Sequence, residues 1–221
     1  NAETPTPLIV LLHGYTSSGP QQDSYMGFSK LAEKYGYLFI APDGDKEPGG
    51  NESRFWNASP ACCDFYNTDV DDSSYVLSII DSIKADFNID PNRIYLIGHS
   101  NGGFLYYRAA YDHSSTIAAI ASLAGASHID ERSAPSHPVH ILQIHGTADE
   151  TIAYEGSEIQ GNKYPSALDS VATWAAYNGC STEGDERELR DLDARIEGHE
   201  SSVLSFKKGC QVGGSSELWT I

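Results

Sequence analysis

Arg93-Ile94-Tyr95-Leu96-Ile97-Gly98-His99-Ser100-Asn101-Gly102-Gly103-Phe104-Leu105 is the stretch on which the fold turns. The spacing predicts a strand over Arg93–Gly98 and a helix over Gly102–His113, with Gly-x-Ser-x-Gly at the junction. A turn this short brings the helix back almost onto the strand, so the positions two residues either side of the serine have no room for side chains. Ser100 is then held out above the strand, over the positive end of a helix dipole. A serine presented in this way is a candidate acyl-transfer nucleophile.

Outward from the junction, short apolar runs alternate with helical patterns. Strands are predicted over Leu8–Leu12, Tyr37–Ala41, Ala118–Ala124 and Val139–Ile144, the continuous apolar character of strands buried on both faces. Helices are predicted over Asp23–Tyr35, over Ser73–Phe87 with Ser74 as cap, and over Ser166–Tyr177, closed by Asn178-Gly179. The polar segment Gly44–Asp72 reads as a loop, and Arg190–Ile196, Val203–Lys207 and Glu217–Ile221 read as closing strands. This alternation predicts an α/β domain over residues 1–221 with a mostly parallel sheet and helices on both faces. The chemistry of such sheets collects at the C-terminal ends of the strands.

Two loops at those ends add to the serine. His13-Gly14-Tyr15 follows the first strand, where the backbone N–H of Tyr15 can face a developing oxyanion and the N–H of Asn101 can supply a second donor. His13 reads as a brace for this loop. His145-Gly146-Thr147-Ala148-Asp149 follows the strand Val139–Ile144, and Asp149 is placed to orient a catalytic histidine, with His145 as loop structure beside it. Tyr15, Phe55, Trp56, Phe65, Tyr66 and Tyr154 are expected in loops around the site, and Trp56 and Tyr154 are candidates to touch substrate.

The 221 residues carry 14 Lys and Arg against 31 Asp and Glu, a net charge of −17, which repels nucleic acid and anionic membrane surfaces. At 40% hydrophobic and 20% charged the chain has the composition of a globular protein, and no apolar run approaches the length of a membrane span. The start Asn1-Ala2-Glu3-Thr4-Pro5 reads as left by processing. Of the four cysteines, Cys180 and Cys210 are expected to pair, while the adjacent Cys62 and Cys63 are either joined or free thiols. Their spacing fits no zinc site, and Asp69-Val70-Asp71-Asp72 with Asp64 reads as a helix N-terminus, not a calcium loop, so no metal or other cofactor is expected. Together these features point to a secreted or periplasmic protein.

Leu11-Leu12-His13-Gly14, Phe55-Trp56-Asn57-Ala58, Cys62-Cys63, Val70-Asp71-Asp72, Gly98–Gly103 and His145–Asp149, in that order, resemble the secreted polyhydroxybutyrate depolymerase and feruloyl esterase group of α/β-hydrolases. The resemblance implies a serine carboxylesterase with Ser100 as nucleophile, Asp149 as triad acid and Tyr15 and Asn101 as oxyanion donors. It implies ester substrates, either feruloyl or acetyl esters of plant-wall polysaccharide or polyhydroxyalkanoates. Members of that group carry their histidine in a Gly-Gly-His segment just after a strand like Glu217–Ile221. The histidine is therefore expected beyond residue 221, with the fold lacking its C-terminal end, and His199 is the alternative as the one histidine after Asp149. Without a base the fold would serve instead as an idle hydrolase-like domain that binds polysaccharide or a partner. Oligomeric state is not legible in the residues.

Overall fold

The computed structural model describes residues 4–50, 52–185 and 187–221, so the first three residues of the processed start expected over Asn1–Pro5 lie outside them. The elements in chain order are β1 (Thr6–Leu12), α1 (Gly19–Met26), α2 (Ala32–Tyr35), β2 (Leu38–Ile40), β3 (Asp45–Lys46), β4 (Arg54–Phe55), α3 (Asp72–Asp86), β5 (Ile89–His99) and α4 (Asn101–Asp112). They continue with β6 (Ala119–Leu123), β7 (His140–His145), β8 (Ser157–Ile159), β9 (Asn162–Tyr164), α5 (Ala167–Tyr177), β10 (Glu188–Arg190), β11 (Ser201–Phe206) and β12 (Ser215–Thr220).

Eight strands form one sheet in the order β10-β11-β12-β7-β6-β5-β1-β2. The pairs from β12 through β2 are parallel, and β10 and β11 close the far side antiparallel. Because side chains alternate along a strand, Leu8, Val10, Leu12, Ile94, Leu96, Ile120 and Ile141 share the fully buried face. They pack with Phe104, Leu105, Tyr106 and Tyr107 of α4. Tyr106 donates its hydroxyl to the Val10 carbonyl (2.6 Å), which fastens α4 to β1. Ile97, Ala121, Leu123, Leu142 and Ile144 turn to the opposite face. There Tyr25, Met26 and Phe28, at and after the end of α1, help enclose an apolar cavity of about 580 Å³. Helices thus lie on both faces of a mostly parallel sheet, the α/β-hydrolase architecture.

Several local readings are corrected. The helix expected over Asp23–Tyr35 is divided: Ser18 caps α1, and Gly27 in the left-handed region (φ 75°) ends it before a 3₁₀ turn at Ser29–Leu31 leads into α2. The cap of α3 is Asp71, whose carboxylate accepts the Ser74 N–H at 3.2 Å, and Ser74 lies inside the first turn. β10 ends at Arg190, so Asp191–Ile196 is not strand. Two small hairpins, β3–β4 and β8–β9, were not legible, since strands of two and three residues carry too little alternation to register. Both cysteine pairs are disulfides, Cys62–Cys63 and Cys180–Cys210. No helix among the described residues is long and apolar enough to cross a membrane.

Candidate active site

The junction between β5 and α4 is as tight as its glycines require. A Cβ on Gly98 would lie 2.4 Å from the Gly102 carbonyl oxygen, and one on Gly102 would lie 2.7 Å from the carbonyl oxygens of both Leu12 and His13. These neighbours are backbone and have nowhere to move. Ser100 sits between them at φ 52°, ψ −118°, a left-handed conformation uncommon for a residue with a side chain. Its N–H is bound by the Leu123 carbonyl (2.8 Å) and its own carbonyl accepts the Phe104 N–H (3.0 Å). The sheet and the helix therefore hold this backbone from both sides and leave the hydroxyl at the C-terminal edge.

The first loop lies against this turn. The position a Cβ would take on Gly14 is 3.6 Å from Ser100 Cβ and 3.3 Å from His99 Nδ1, so the Gly14-Tyr15 backbone runs directly beside the serine. His13 is fully buried as the expected brace. Its Nδ1 donates to the Gly14 carbonyl (2.8 Å) and its Nε2 accepts the Gly44 N–H (3.0 Å), which occupies both ring nitrogens. Burial holds its pKa below the ordinary histidine range, consistent with that neutral tautomer. Tyr15 packs edge-on against Phe65 (5.3 Å between ring centroids) and donates its hydroxyl to the buried Glu47. Nothing in the sequence signals Glu47, which lies in a polar loop.

Asn101 carries more than its backbone. Its side chain is fully buried, accepts the Trp56 N–H through Oδ1 (2.8 Å), and donates through Nδ2 to the Trp56 carbonyl (2.9 Å). Cys62 Sγ lies 3.5 Å from the same Nδ2. As the first residue of α4, Asn101 also has an N–H with no acceptor inside the helix. Trp56 is placed in the core and not at the rim: it is fully buried, with its indole N–H on the His13 carbonyl (3.0 Å) and its ring against His13. The expectation that Trp56 touches substrate is therefore corrected. A large aromatic in a polar loop is as readily the plug that anchors the loop.

Asp149 stands in the loop that follows β7. Asp149 Oδ1 accepts the N–H groups of Thr151 (2.9 Å) and Ile152 (3.0 Å), which fixes the carboxylate. Its charge is felt at the serine turn, where it opposes the downward pull that burial exerts on the His99 pKa. His145 comes within 3.6 Å of Asp149 Oδ2 but is committed elsewhere. Its Nε2 donates to the Ile152 carbonyl (2.7 Å) and its Nδ1 lies 3.1 Å from Gln143 Nε2, which also donates to the Gly125 carbonyl. Tyr107 in turn donates to Gln143 Oε1 (2.9 Å). This buried chain braces the acid loop. Its one signal in the sequence is Gln143, a polar residue set among the apolar Ile141, Leu142 and Ile144.

Tyr154 is half-buried beside His145, with its hydroxyl on Thr220 (2.8 Å), and reaches the acid side of the site. His199 is exposed between β10 and β11. Among the described residues, no ring nitrogen is hydrogen-bonded to the Ser100 hydroxyl. The end of β12 does lie beside the acid loop: the Ile221 carbonyl accepts the Thr147 N–H at 2.7 Å.

Comparison with known proteins agrees with this architecture. The family model of phospholipases and carboxylesterases matches residues 1–200. A feruloyl esterase B of Piromyces equi is 31% identical over 186 residues, 80% of this chain and 33% of that protein. A bifunctional acetylxylan esterase/xylanase of Neocallimastix patriciarum is 32% identical over 69% of this chain and 21% of that protein, and a poly(3-hydroxyalkanoate) depolymerase C of Paucimonas lemoignei is 27% identical over 54% and 28%. The chain therefore spans between about a fifth and a third of the length of these relatives. Among solved structures, an acetyl xylan esterase from Aspergillus awamori superposes with a TM-score of 0.64 over 98% of this chain and 82% of its own, at 14% identity, which shows a shared fold. On these matches the chain belongs to the phospholipase/carboxylesterase family of α/β-hydrolases.

Proposed function

We propose that this chain is the hydrolase unit of a carboxylesterase that works through an acyl-enzyme on Ser100. The observation that carries the reading is the left-handed Ser100, clamped between Leu123 and Phe104, with the Gly14-Tyr15 backbone beside it and the first N–H of α4 next in sequence. In this mechanism the Ser100 oxygen attacks the ester carbonyl while a histidine takes the hydroxyl proton. The N–H groups of Tyr15 and Asn101 bind the oxyanion, worth about 3 kcal/mol for each well-placed donor. Collapse of the tetrahedral intermediate expels the alcohol, which receives that proton, and water then releases the acid. Asp149 orients the histidine. The end of β12 at Thr147 is the position from which a histidine would reach Asp149. No cofactor takes part.

Feruloyl or acetyl esters of plant-wall polysaccharide are the substrates this reading favours, since the names of two relatives specify such esters. A polyhydroxyalkanoate is the competing polymer. Two disulfides fit an oxidising compartment and so a secreted or periplasmic setting. A second reading, a hydrolase-like domain that binds polysaccharide without cleaving it, rests on the lack of a histidine bonded to Ser100 among the described residues. The test is labelling with an organophosphonate, with the adduct mapped by mass spectrometry, beside hydrolysis of methyl ferulate, acetylated xylan and a polyhydroxybutyrate film. An adduct on Ser100 is expected, and Ser100→Ala should lower turnover by about 10⁴-fold or more. A folded protein with no adduct and no turnover would transfer the case to the binding reading.

A further inference from the structure

Helix α1 touches the loop beside the serine, yet of its eight residues only Gly19 and Gln22 are buried. Gly19 seats the first turn. Its N–H donates to Asp43 Oδ1 (2.8 Å), and a Cβ there would meet the Ala41 carbonyl oxygen at 2.1 Å. Gln22, three residues on and 3% exposed, is therefore the one long side chain that α1 buries. A helix ordinarily turns an apolar residue to the protein at such a position. Here Gln22 Oε1 accepts the Gly14 N–H at 3.2 Å, while its Nε2 meets no acceptor among the described residues. A methionine of similar volume would avoid the cost of that orphaned donor, so packing does not account for the amide. The bond to Gly14 does.

That bond completes a clamp. The Gly14 carbonyl accepts His13 Nδ1 (2.8 Å) and the Ser17 N–H (3.1 Å), so Gly14 is held at both its N–H and its C=O. With the peptide planes on either side fixed, neither dihedral of this residue is free, which matters at a glycine because its backbone is otherwise the loosest. The Thr16 N–H is taken by the Arg54 carbonyl (2.7 Å). In the run from Gly14 to Ser17, the Tyr15 N–H is thus the one left without an acceptor among the described residues. It belongs to the same trans peptide as the Gly14 carbonyl and points the opposite way. Holding Gly14 therefore aims the Tyr15 N–H, and Gln22 ties that aim to a helix seated separately at Asp43.

We propose that Gln22 is a positioning residue whose Oε1 holds Gly14 so that the Tyr15 N–H stays aimed at the oxyanion formed when Ser100 attacks. The inference rests on the esterase reading for what that N–H meets, but not for the clamp itself. A donor fixed in advance needs no reorganisation as charge develops. Loss of the clamp should therefore lower kcat and leave KM unchanged, since the donor is engaged in the transition state. In Gln22→Met, kcat with p-nitrophenyl acetate should fall by about 10- to 100-fold, short of the loss expected for removing the donor outright. Gln22→Glu retains an acceptor and should recover most of that loss. Amide exchange followed by NMR in the full chain reads the clamp without turnover. In the wild type the Gly14 N–H should be protected about tenfold or more over the Tyr15 N–H, and Gln22→Met should erase the difference, with circular dichroism to check the fold. Wild-type kcat in a folded Gln22→Met, or a Gly14 N–H no better protected than that of Tyr15 in the wild type, would overturn the proposal. The two readings fail separately. A protected Gly14 in a wild type with no serine adduct and no turnover would remove the esterase reading, and the catalytic role of the clamp with it. Turnover with an unprotected Gly14 would remove Gln22 alone.

Discussion

Asn101→Ala tests whether the residue after the serine holds the loop that closes the site. The substitution removes the acceptor of the Trp56 N–H, a donor in a fully buried residue, at a cost of about 1–3 kcal/mol. The Trp56 carbonyl loses the Nδ2 donor but keeps the Cys63 N–H at 3.1 Å, so that loss is smaller. The space left by the amide adds about 1 kcal/mol, for a total of about 3 kcal/mol. For a chain of this size that lowers the melting temperature by about 6–12 °C. Urea unfolding followed by tryptophan fluorescence reads it directly, since Trp56 and Trp174 are fully buried. Asn101→Asp gives the sharper test. It retains Oδ1 for Trp56 but sets an anionic oxygen where Nδ2 faced a carbonyl, in a fully buried position with no cation. Its pKa in the folded protein must rise above the unfolded value, so the variant is penalised at neutral pH and recovers as pH falls through the folded pKa, when the protonated oxygen can donate to Trp56. An Ala variant within 1 kcal/mol of the wild type, or an Asp variant whose deficit is the same at pH 4 and pH 8, would refute the reasoning.

Other consequences are as direct. Gly102→Ala drives a methyl group to 2.7 Å from two carbonyl oxygens, and the variant should lose about 3 kcal/mol or fail to accumulate, as solubility and circular dichroism would reveal. Burial raises the Asp72 pKa to about 6, so this carboxylate binds its proton more tightly in the folded state. Its contribution to stability therefore falls as pH rises from about 4 to 6, by at most about 3 kcal/mol. Asp72→Asn should remove that segment of the pH dependence and leave the variant more stable than wild type at pH 7, measured by denaturant unfolding across pH. Replacing both Cys180 and Cys210 with alanine opens a bridge that spans 30 residues and should cost about 3–4 kcal/mol, read from the urea midpoint.

The order of strands and helices, the serine turn and the two flanking loops were legible because each rests on local rules. Apolar runs of five residues, a Gly-x-Ser-x-Gly junction and an Asx or Gly terminator act within a few residues of where they are written. The failures have equally local reasons. Gly27 divides a helix whose apolar spacing runs on past it, and Asp71 competes with Ser74 for the same cap.

The sequence by itself determined the α/β class, the position of Ser100 at a turn that admits no side chain two residues to either side, and the strand ends that carry Tyr15 and Asp149. Only the tertiary structure decided what the polar and aromatic side chains do there. Trp56 faces inward because its ring fills the space beside His13, Asn101 is a tether because the Trp56 backbone lies within 3 Å of its amide, and His145 is removed from acid–base work because Gln143 and Ile152 occupy both its nitrogens. Each of these assignments depends on a partner 7 to 45 residues away, joined for His145 by Gln143 two residues back on the same strand, and over such separations side-chain identity carries no directional information until the chain is folded.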